Sequence, residues 1–296
     1  MRPGSPPAHA VARAKINLFL HVGALQPDGY HPLSSLVAFA DVGDGITVER
    51  ADRLSLDIVG PLGGSLRSQP DNLILTALRA LGEAAGIGEP ALKITLDKAL
   101  PIAAGLGGGS SDAGTALKLA RDVLALEIDD AALEVLAGVV GADGAMCLRA
   151  RTAWAEGRGD VLTEEPRLPV LNGVLFNPGV PSSTGAVYRA FDQGPTCRLD
   201  HGAPADWSAG TVIAWLATLR NDLEAPAIAL APAIGQALVE MQRQAGVGLS
   251  RMSGSGATVI GLFERPEDAD AAARVLSDQA TAGWVRRTRI GGFSIA

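Results

Sequence analysis

The tract "PIAAGLGGGSSDAG", residues 101–114, sets glycines at 105, 107, 108 and 109 and hydroxyls at Ser110 and Ser111 between an apolar strand-like run and a helical one. Glycines let a backbone adopt unusual angles and approach a ligand closely. A helix beginning just beyond the serines would aim unpaired N–H groups and a positive dipole end at the loop, which together favour an anion. The serine hydroxyls add donors for phosphate oxygens. The tract is not the common nucleotide loop, GxxxxGK[ST], because no lysine follows its glycines. It is not a dinucleotide fingerprint either: "GLGGGS" reads GxGxxS and lies deep in the chain behind Pro101. A flexible turn with a Ser/Asp helix cap would use the same residue types. Four glycines and two serines opening a helix after a proline favour the phosphate.

Such a cradle needs a strand leading in and a helix leading out. "ALKITLD" alternates as a strand should and runs through Pro101 into the glycines; a helix is expected over 112–126 and another over 129–140. Upstream, "VARAKINLFLHVG" reads as a strand and "GITVERADRLSLDIVG" as two more around a turn. "DNLILTALRALGEAAG" has helical spacing, with Asp71 placed to cap it and Gly86 to end it. "AMCLRARTAWAEG" reads as extended, and the polar "TEEPRLP" marks a boundary between domains 1–163 and 164–296. The second half opens on the strand "VLNGVLFNPG". Helices follow at 207–219, at 222–244 with interruptions at Pro226 and Pro232, and at 266–279, and the strands "ATVIGLFE" and "GWVRRTRIGGFS" flank the last of them. Helices and hairpin-like strand pairs mixed in this way predict an α+β fold instead of a wholly parallel sheet.

A chain of 296 residues with 47% hydrophobic content has material for two domains with packed cores. Its net charge of −7 argues against a nucleic-acid partner, whose binding rests on clustered lysine and arginine. Cys147 and Cys197 make no metal-spaced pair. The N-terminus lacks a signal peptide's continuous apolar core, and no run elsewhere reaches membrane-spanning length, so a cytoplasmic protein without a membrane partner is expected.

Three tracts in order, "ARAKINLFLHVG", the glycine loop and "SRMSGSGATVIGLF", resemble the three motifs of the GHMP kinases, the family of galactokinase, homoserine kinase and mevalonate kinase. The resemblance implies a two-domain fold, with an N-terminal ATP-binding domain like ribosomal protein S5 domain 2 and a ferredoxin-like C-terminal domain. It places the active site between them. ATP and Mg2+ are the implied cofactors, and the metal's ligands stay unassigned. Pro101, Ile102, Ala103, Ala104, Gly105, Leu106, Gly107, Gly108, Gly109, Ser110 and Ser111 would hold the nucleotide. Gly254 and Gly256 of the third motif would turn the chain beneath the phosphates or support the loop.

"AKINLFL" followed by "DGYHPLSSL", with "GAD" downstream of the loop, is similar to the branch of the family that phosphorylates a cytidine diphosphate-linked methylerythritol on the route to isoprenoids. By that resemblance Asp143 is the base and Lys15 its partner, keeping it charged and acting on the substrate alcohol by its field. Taken singly, Lys15 reads as a solvent-facing strand lysine and Asp143 as a turn aspartate; their occurrence together with the loop is what lifts both. The family usually reads "GADVP" or "GADIP", whereas Gly144, Ala145, Met146 and Cys147 follow here, and loss of that proline is expected to loosen the backbone. Tyr30 would stack on the cytosine, His31 would hydrogen-bond its polar edge, Tyr188 would close the other face, and Thr184 and Asn17 would supply polar contacts. The alternatives are a GHMP kinase for another small alcohol, of homoserine or mevalonate type, and a catalytically silent nucleotide binder. His9, His21 and His201 receive no role, and oligomeric state is not legible.

Overall fold

Residues 6–66, 72–195, 198–279 and 283–292 are described in the computed structural model. Two strands open the chain, β1 (Ala8–Val22) and β2 (Leu33–Arg50), which pair with each other. The chain divides into two compact units, and both strands supply residues to each. The first unit runs to Ala14 and continues with Val42–Leu100 and Gly107–Ala150; the second holds Lys15–Asp41, Pro101–Leu106 and the chain from Arg151 onward.

In the first unit, β3 (Ser55–Val59), α1 (Leu73–Ala84), β4 (Leu92–Asp97), α2 (Gly108–Leu124), α3 (Asp130–Val140) and α4 (Gly144–Arg149) follow in order. β4 pairs antiparallel with the second half of β2, setting Ile46 opposite Leu96 and Val48 opposite Ile94, and pairs parallel with β3. The period-2 alternation turns Ile46, Val48, Leu92, Ile94 and Leu96 to one face. Ile74, Leu78 and Leu81 of α1, Ala116 and Leu117 of α2 and Leu133 of α3 join them in one core. Asn72, not Asp71, caps α1, its side chain accepting from Ile74 N–H; Asp71 lies outside the described residues. Asp129, expected as the first residue of a helix over 129–140, is the cap of α3, its side chain accepting from Ala132 N–H.

Two expectations are corrected here. Helix α2 starts at Gly108, one turn before the predicted Asp112, so Ser110 and Ser111 belong to its first turn. Only Gly105 and Gly107 of the loop glycines take left-handed angles, with φ of 72° and 61°; Gly108 and Gly109 are helical. Residues 145–149, read as extended, belong to α4. This short helix is held by packing: a Cβ on Gly144 would lie 1.8 Å from the carbonyl oxygen of Ala137, so only glycine lets α4 rest on α3. The tract after Asp143 is thus fixed without the proline, by a close backbone approach.

In the second unit, β5 (Ala153–Gly157) and β6 (Val161–Glu164) form a hairpin, with β5 on the first half of β2. Then come β7 (Leu171–Asn177), α5 (Thr184–Phe191), α6 (Ala209–Thr218), α7 (Glu224–Leu230), α8 (Ala233–Gln242), β8 (Val247–Met252), β9 (Val259–Phe263), α9 (Pro266–Gln279) and β10 (Trp284–Ile290). β7 lies between β9 and β10, antiparallel to both, and β8 and β9 form a hairpin whose turn is "SGSGAT". The predicted helix over 222–244 splits at Pro232, while Pro226 falls in the first turn of α7, where its missing N–H costs nothing. Phe176, Val187, Met241, Val259, Phe263 and Leu276 are among the residues of this unit's core. Apart from β3–β4, the pairings with a given register are antiparallel, as an α+β fold requires.

His21 of β1 is fully buried against Phe19, and its ring nitrogens have no partner at normal hydrogen-bond distance among the described residues. Burial, assisted by the Arg220 charge, lowers its pKa below the ordinary histidine value. The unfolded chain therefore takes up a proton that the folded ring resists, and stability is lost as pH falls through the unfolded histidine value of about 6.5. Thermal melts of wild type and His21→Leu between pH 7.5 and 5.5 are expected to show wild type falling further. Equal slopes would remove His21 as a source of acid sensitivity.

Candidate active site

In the first unit the site is the N-terminus of α2. Gly107 is its N-cap residue, and no side chain caps the helix. Ser111 N–H already donates to Gly107 C=O at 2.9 Å, so the amides of 108, 109 and 110 precede the first intrahelical bond and face outward for an anion. Ser111 Oγ is buried without a partner. Asp143 stands beside this helix end. It is the N-cap residue of α4, its carboxylate makes no capping bond, and its φ and ψ of −81° and 0° lie in the bridge region common at active sites. Two links fix the neighbourhood. Cys147 N–H donates to Asp143 C=O at 2.9 Å while Cys147 Sγ reaches Gly107 C=O at 3.8 Å, and Ser110 Oγ lies 3.6 Å from where a Cβ on Gly141 would stand.

In the second unit the three sequence motifs meet. Lys15 N–H donates to Leu106 C=O at 2.8 Å, and Thr258 N–H to Ala104 C=O at 3.2 Å. Ser253 Oγ accepts from Asn17 N–H at 3.2 Å and donates to Gly105 C=O at 3.0 Å. The "SGSG" turn therefore supports the loop. Lys15, buried on β1, donates from Nζ to Asn17 Oδ1 at 2.9 Å, and Asn17 Nδ2 donates to Ser35 Oγ at 2.8 Å. Both ends of the Asn17 amide are thus engaged within the protein. Ala103, Pro101 and Ile102 form the turn that leads into this contact, with Ala103 at a left-handed φ of 50°.

The predicted base-reading residues also lie in the second unit. Tyr30 is exposed at the turn after Asp28, whose Oδ1 accepts Tyr30 N–H at 3.0 Å. The Arg158 guanidinium covers one face of its ring at 4.2 Å and pairs with Asp28. The His31 ring contacts Tyr188 at 5.2 Å between centroids, and its nitrogens meet Gly23 C=O at 2.8 Å and Asp192 Oδ1 at 3.2 Å. The imidazole is therefore engaged on both sides, while His31 main-chain N–H has no partner among the described residues. Thr184 Oγ1 lies 2.9 Å from Ser255 Oγ. Arg158, Asp192 and Ser253 were missed from the sequence. Arg158 sits in a Gly-Arg-Gly turn, which hints at no partner, and the others act across long separations.

Family models for the GHMP kinases N terminal domain and the GHMP kinases C terminal match residues 72–150 and 209–282. The chain belongs to the GHMP kinase family. A 4-diphosphocytidyl-2-C-methyl-D-erythritol kinase of Caulobacter vibrioides is 50% identical over 285 residues, covering 95% of this chain and 98% of its own. The crystal structure of a 4-(cytidine 5'-diphospho)-2C-methyl-D-erythritol kinase superposes with a TM-score of 0.77 at 33% identity, covering 97% of this chain and 100% of the other. A homoserine kinase from Cytophaga hutchinsonii, at 16% identity and a TM-score of 0.70 over 99% and 98% of the two chains, shares the GHMP kinase fold. The chain is an ATP-dependent small-molecule kinase with the two-domain, mixed α and β architecture of this family.

Among the described residues no group of three or more His, Cys, Asp or Glu side chains is placed to hold a metal. Magnesium is usually carried by substrate phosphates with few protein oxygens. Among the described residues no helix is long and apolar enough to cross a membrane.

Proposed function

We propose that this chain transfers the γ-phosphate of ATP to the 2-hydroxyl of 4-diphosphocytidyl-2-C-methyl-D-erythritol, in the non-mevalonate route to isoprenoid precursors, as a cytoplasmic enzyme. The observation that carries the reading is near-full-length likeness to kinases of that name, joined to a glycine loop that ends in an uncapped helix. Residues 101–111 cradle the nucleotide. The amides of 108–110 neutralise phosphate charge without moving, which is the main work a phosphoryl-transfer enzyme has to do. Magnesium bound with the nucleotide would neutralise further charge there. Asp143 orients the acceptor hydroxyl and takes its proton, and Lys15, held by Asn17, stabilises the alkoxide as it forms. We assign residues 1–163 to an N-terminal ATP-binding domain and 164–296 to a C-terminal domain, a reading supported by the two family models, which fall on either side of that division. We read the two parts as resembling ribosomal protein S5 domain 2 and a ferredoxin-like domain.

Cytosine stacks on the Tyr30 face that Arg158 leaves open, with Tyr188 on its other side and Thr184 near the sugar. With the His31 ring engaged by Gly23 and Asp192, we take its main-chain N–H as the donor to the base edge. Base stacking is worth about 1–3 kcal/mol, so Tyr30→Ala is expected to weaken the cytidine substrate roughly tenfold or more. Affinity for ATP should barely move. Unchanged substrate KM in this variant would remove Tyr30 from the base site. The decisive experiment is an ATP-consumption assay across the cytidine diphosphate alcohol, homoserine and mevalonate. Turnover of the first alone is expected, and turnover of homoserine or mevalonate in its place would overturn the reading.

A further inference from the structure

Lys98 and Asp112 flank the glycine loop in sequence, and their side chains meet in the first unit. Lys98 Nζ lies 2.8 Å from Asp112 Oδ2 and 2.6 Å from Asp44 Oδ2. All three side chains are almost wholly buried, at 3%, 4% and 0% exposure. The other oxygen of Asp44 accepts the N–H groups of Ala99 and Leu100, at 2.7 and 2.8 Å, where the chain enters the loop. A Cβ on Gly108 would stand 3.2 Å from Lys98 Nζ, so the ammonium lies directly against the first residue of α2. One cation thus joins the end of β4, a residue of β2 and the second turn of α2, and both ends of the loop are fastened to it.

We propose that Lys98, Asp44 and Asp112 form a clasp that fixes the entry and exit of the glycine loop relative to each other, and so positions the amides of 108–110 for nucleotide phosphates. The inference rests on the reading that this loop binds ATP.

A core position that only needed filling would not call for charge. Burying three ionisable groups carries a desolvation cost that a well-packed apolar cluster avoids. What the charges supply is direction: two carboxylates and an ammonium fix the chain segments they join in a way that apolar contacts do not. Burial works against the charge on Lys98, but Asp112 and Asp44 outweigh it and hold its pKa above the ordinary lysine value. Burial pushes Asp112 up to about 7, with Lys98 opposing and Asp44 reinforcing the rise. Asp112 Oδ1 has no partner among the described residues, so the link to Lys98 through Oδ2 is the bond that matters. The group therefore has a natural mimic. Asparagine keeps an acceptor for Lys98, whereas alanine deletes it and leaves Lys98 and Asp44 as a balanced pair.

The test compares Asp112→Ala with Asp112→Asn by calorimetry with magnesium-ATP and by steady-state kinetics. Asp112→Ala is expected to raise the Kd and KM for ATP about tenfold, the loss typical of one charge-assisted bond, while KM for the alcohol substrate stays within about twofold. Asp112→Asn should return to within about threefold of wild type. A merely structural role would lower the melting temperature and leave the nucleotide affinity of the folded protein intact. A folded Asp112→Ala protein with wild-type ATP affinity overturns the clasp, as does an asparagine variant no better than the alanine one. Should Asp112→Ala not fold, hydrogen exchange on wild type decides. Bound nucleotide is expected to slow exchange at Ala99 and Leu100 together with 108–110, and protection of 108–110 alone overturns the proposal. Wild type that binds no ATP would instead overturn the functional reading itself.

Discussion

Asp143→Asn is expected to lower turnover by about a thousandfold while ATP binds within about twofold of wild type, because a positioned acid–base group contributes on that scale and the loop holds the nucleotide by its main chain. The structure makes the variant a clean one. Asp143 is an N-cap residue, and asparagine is as good a helix cap as aspartate. The carboxylate makes no capping bond that would be lost, and α4 is held by the approach of Gly144 to Ala137 and by the bond from Cys147 N–H to Asp143 C=O. None of these involves the carboxylate, so the fold and the loop should persist. Single-turnover kinetics and calorimetry on one preparation check both halves of the expectation. Turnover near that of wild type would take Asp143 out of the chemistry. Lost ATP binding would mean that the side chain serves the nucleotide instead.

The loop and its partners were legible in the sequence to different degrees, and the reasons are physical. Residue types that do one thing well announced themselves, above all glycines before a helix. The strands that bury one face were legible from their alternation. The start of α2 was placed a turn late because Ser110, Ser111 and Asp112 look like caps, although the helix has no side-chain cap and begins on glycine. Helix α4 was missed for a related reason. It is only six residues long, Asp143 before it makes no side-chain capping bond, and what holds it is a backbone contact with α3 that no local pattern encodes. The clasp was invisible because Asp44 and Lys98 are 54 positions apart, and a lone lysine in "LDKALP" looks like any strand-end lysine. Asn17 was expected to touch substrate, and its side chain also accepts from Lys15 Nζ, a contact two residues along one strand that the sequence did not announce.

Gly105→Ala is expected to weaken ATP binding by about a hundredfold or more, while Gly109→Ala, four positions along the same loop, changes it by no more than about threefold; each 1.4 kcal/mol corresponds to a factor of ten. Gly105 has a φ of +72°, a left-handed angle that costs a residue bearing a Cβ roughly 1–2 kcal/mol. The larger effect is collision. A Cβ there would stand 2.2 Å from Ser253 C=O and 2.9 Å from Gly256 N, both main-chain atoms of a turn that has no flexible end to yield. Either the loop or the turn must move, and the bonds from Ser253 Oγ to Gly105 C=O and from Thr258 N–H to Ala104 C=O go with it. At Gly109 the backbone is helical, and the nearest obstacle is Leu73 Cδ1 at 3.1 Å, the far end of a side chain that can rotate away. The two substitutions add the same methyl group, so a difference between them reports the loop's seat on the turn and not the loss of glycine as such. Melting curves on both variants separate a displaced loop from an unfolded protein. Equal ATP affinity in the two folded variants would show that the seat on Ser253–Gly256 does not position the loop for nucleotide.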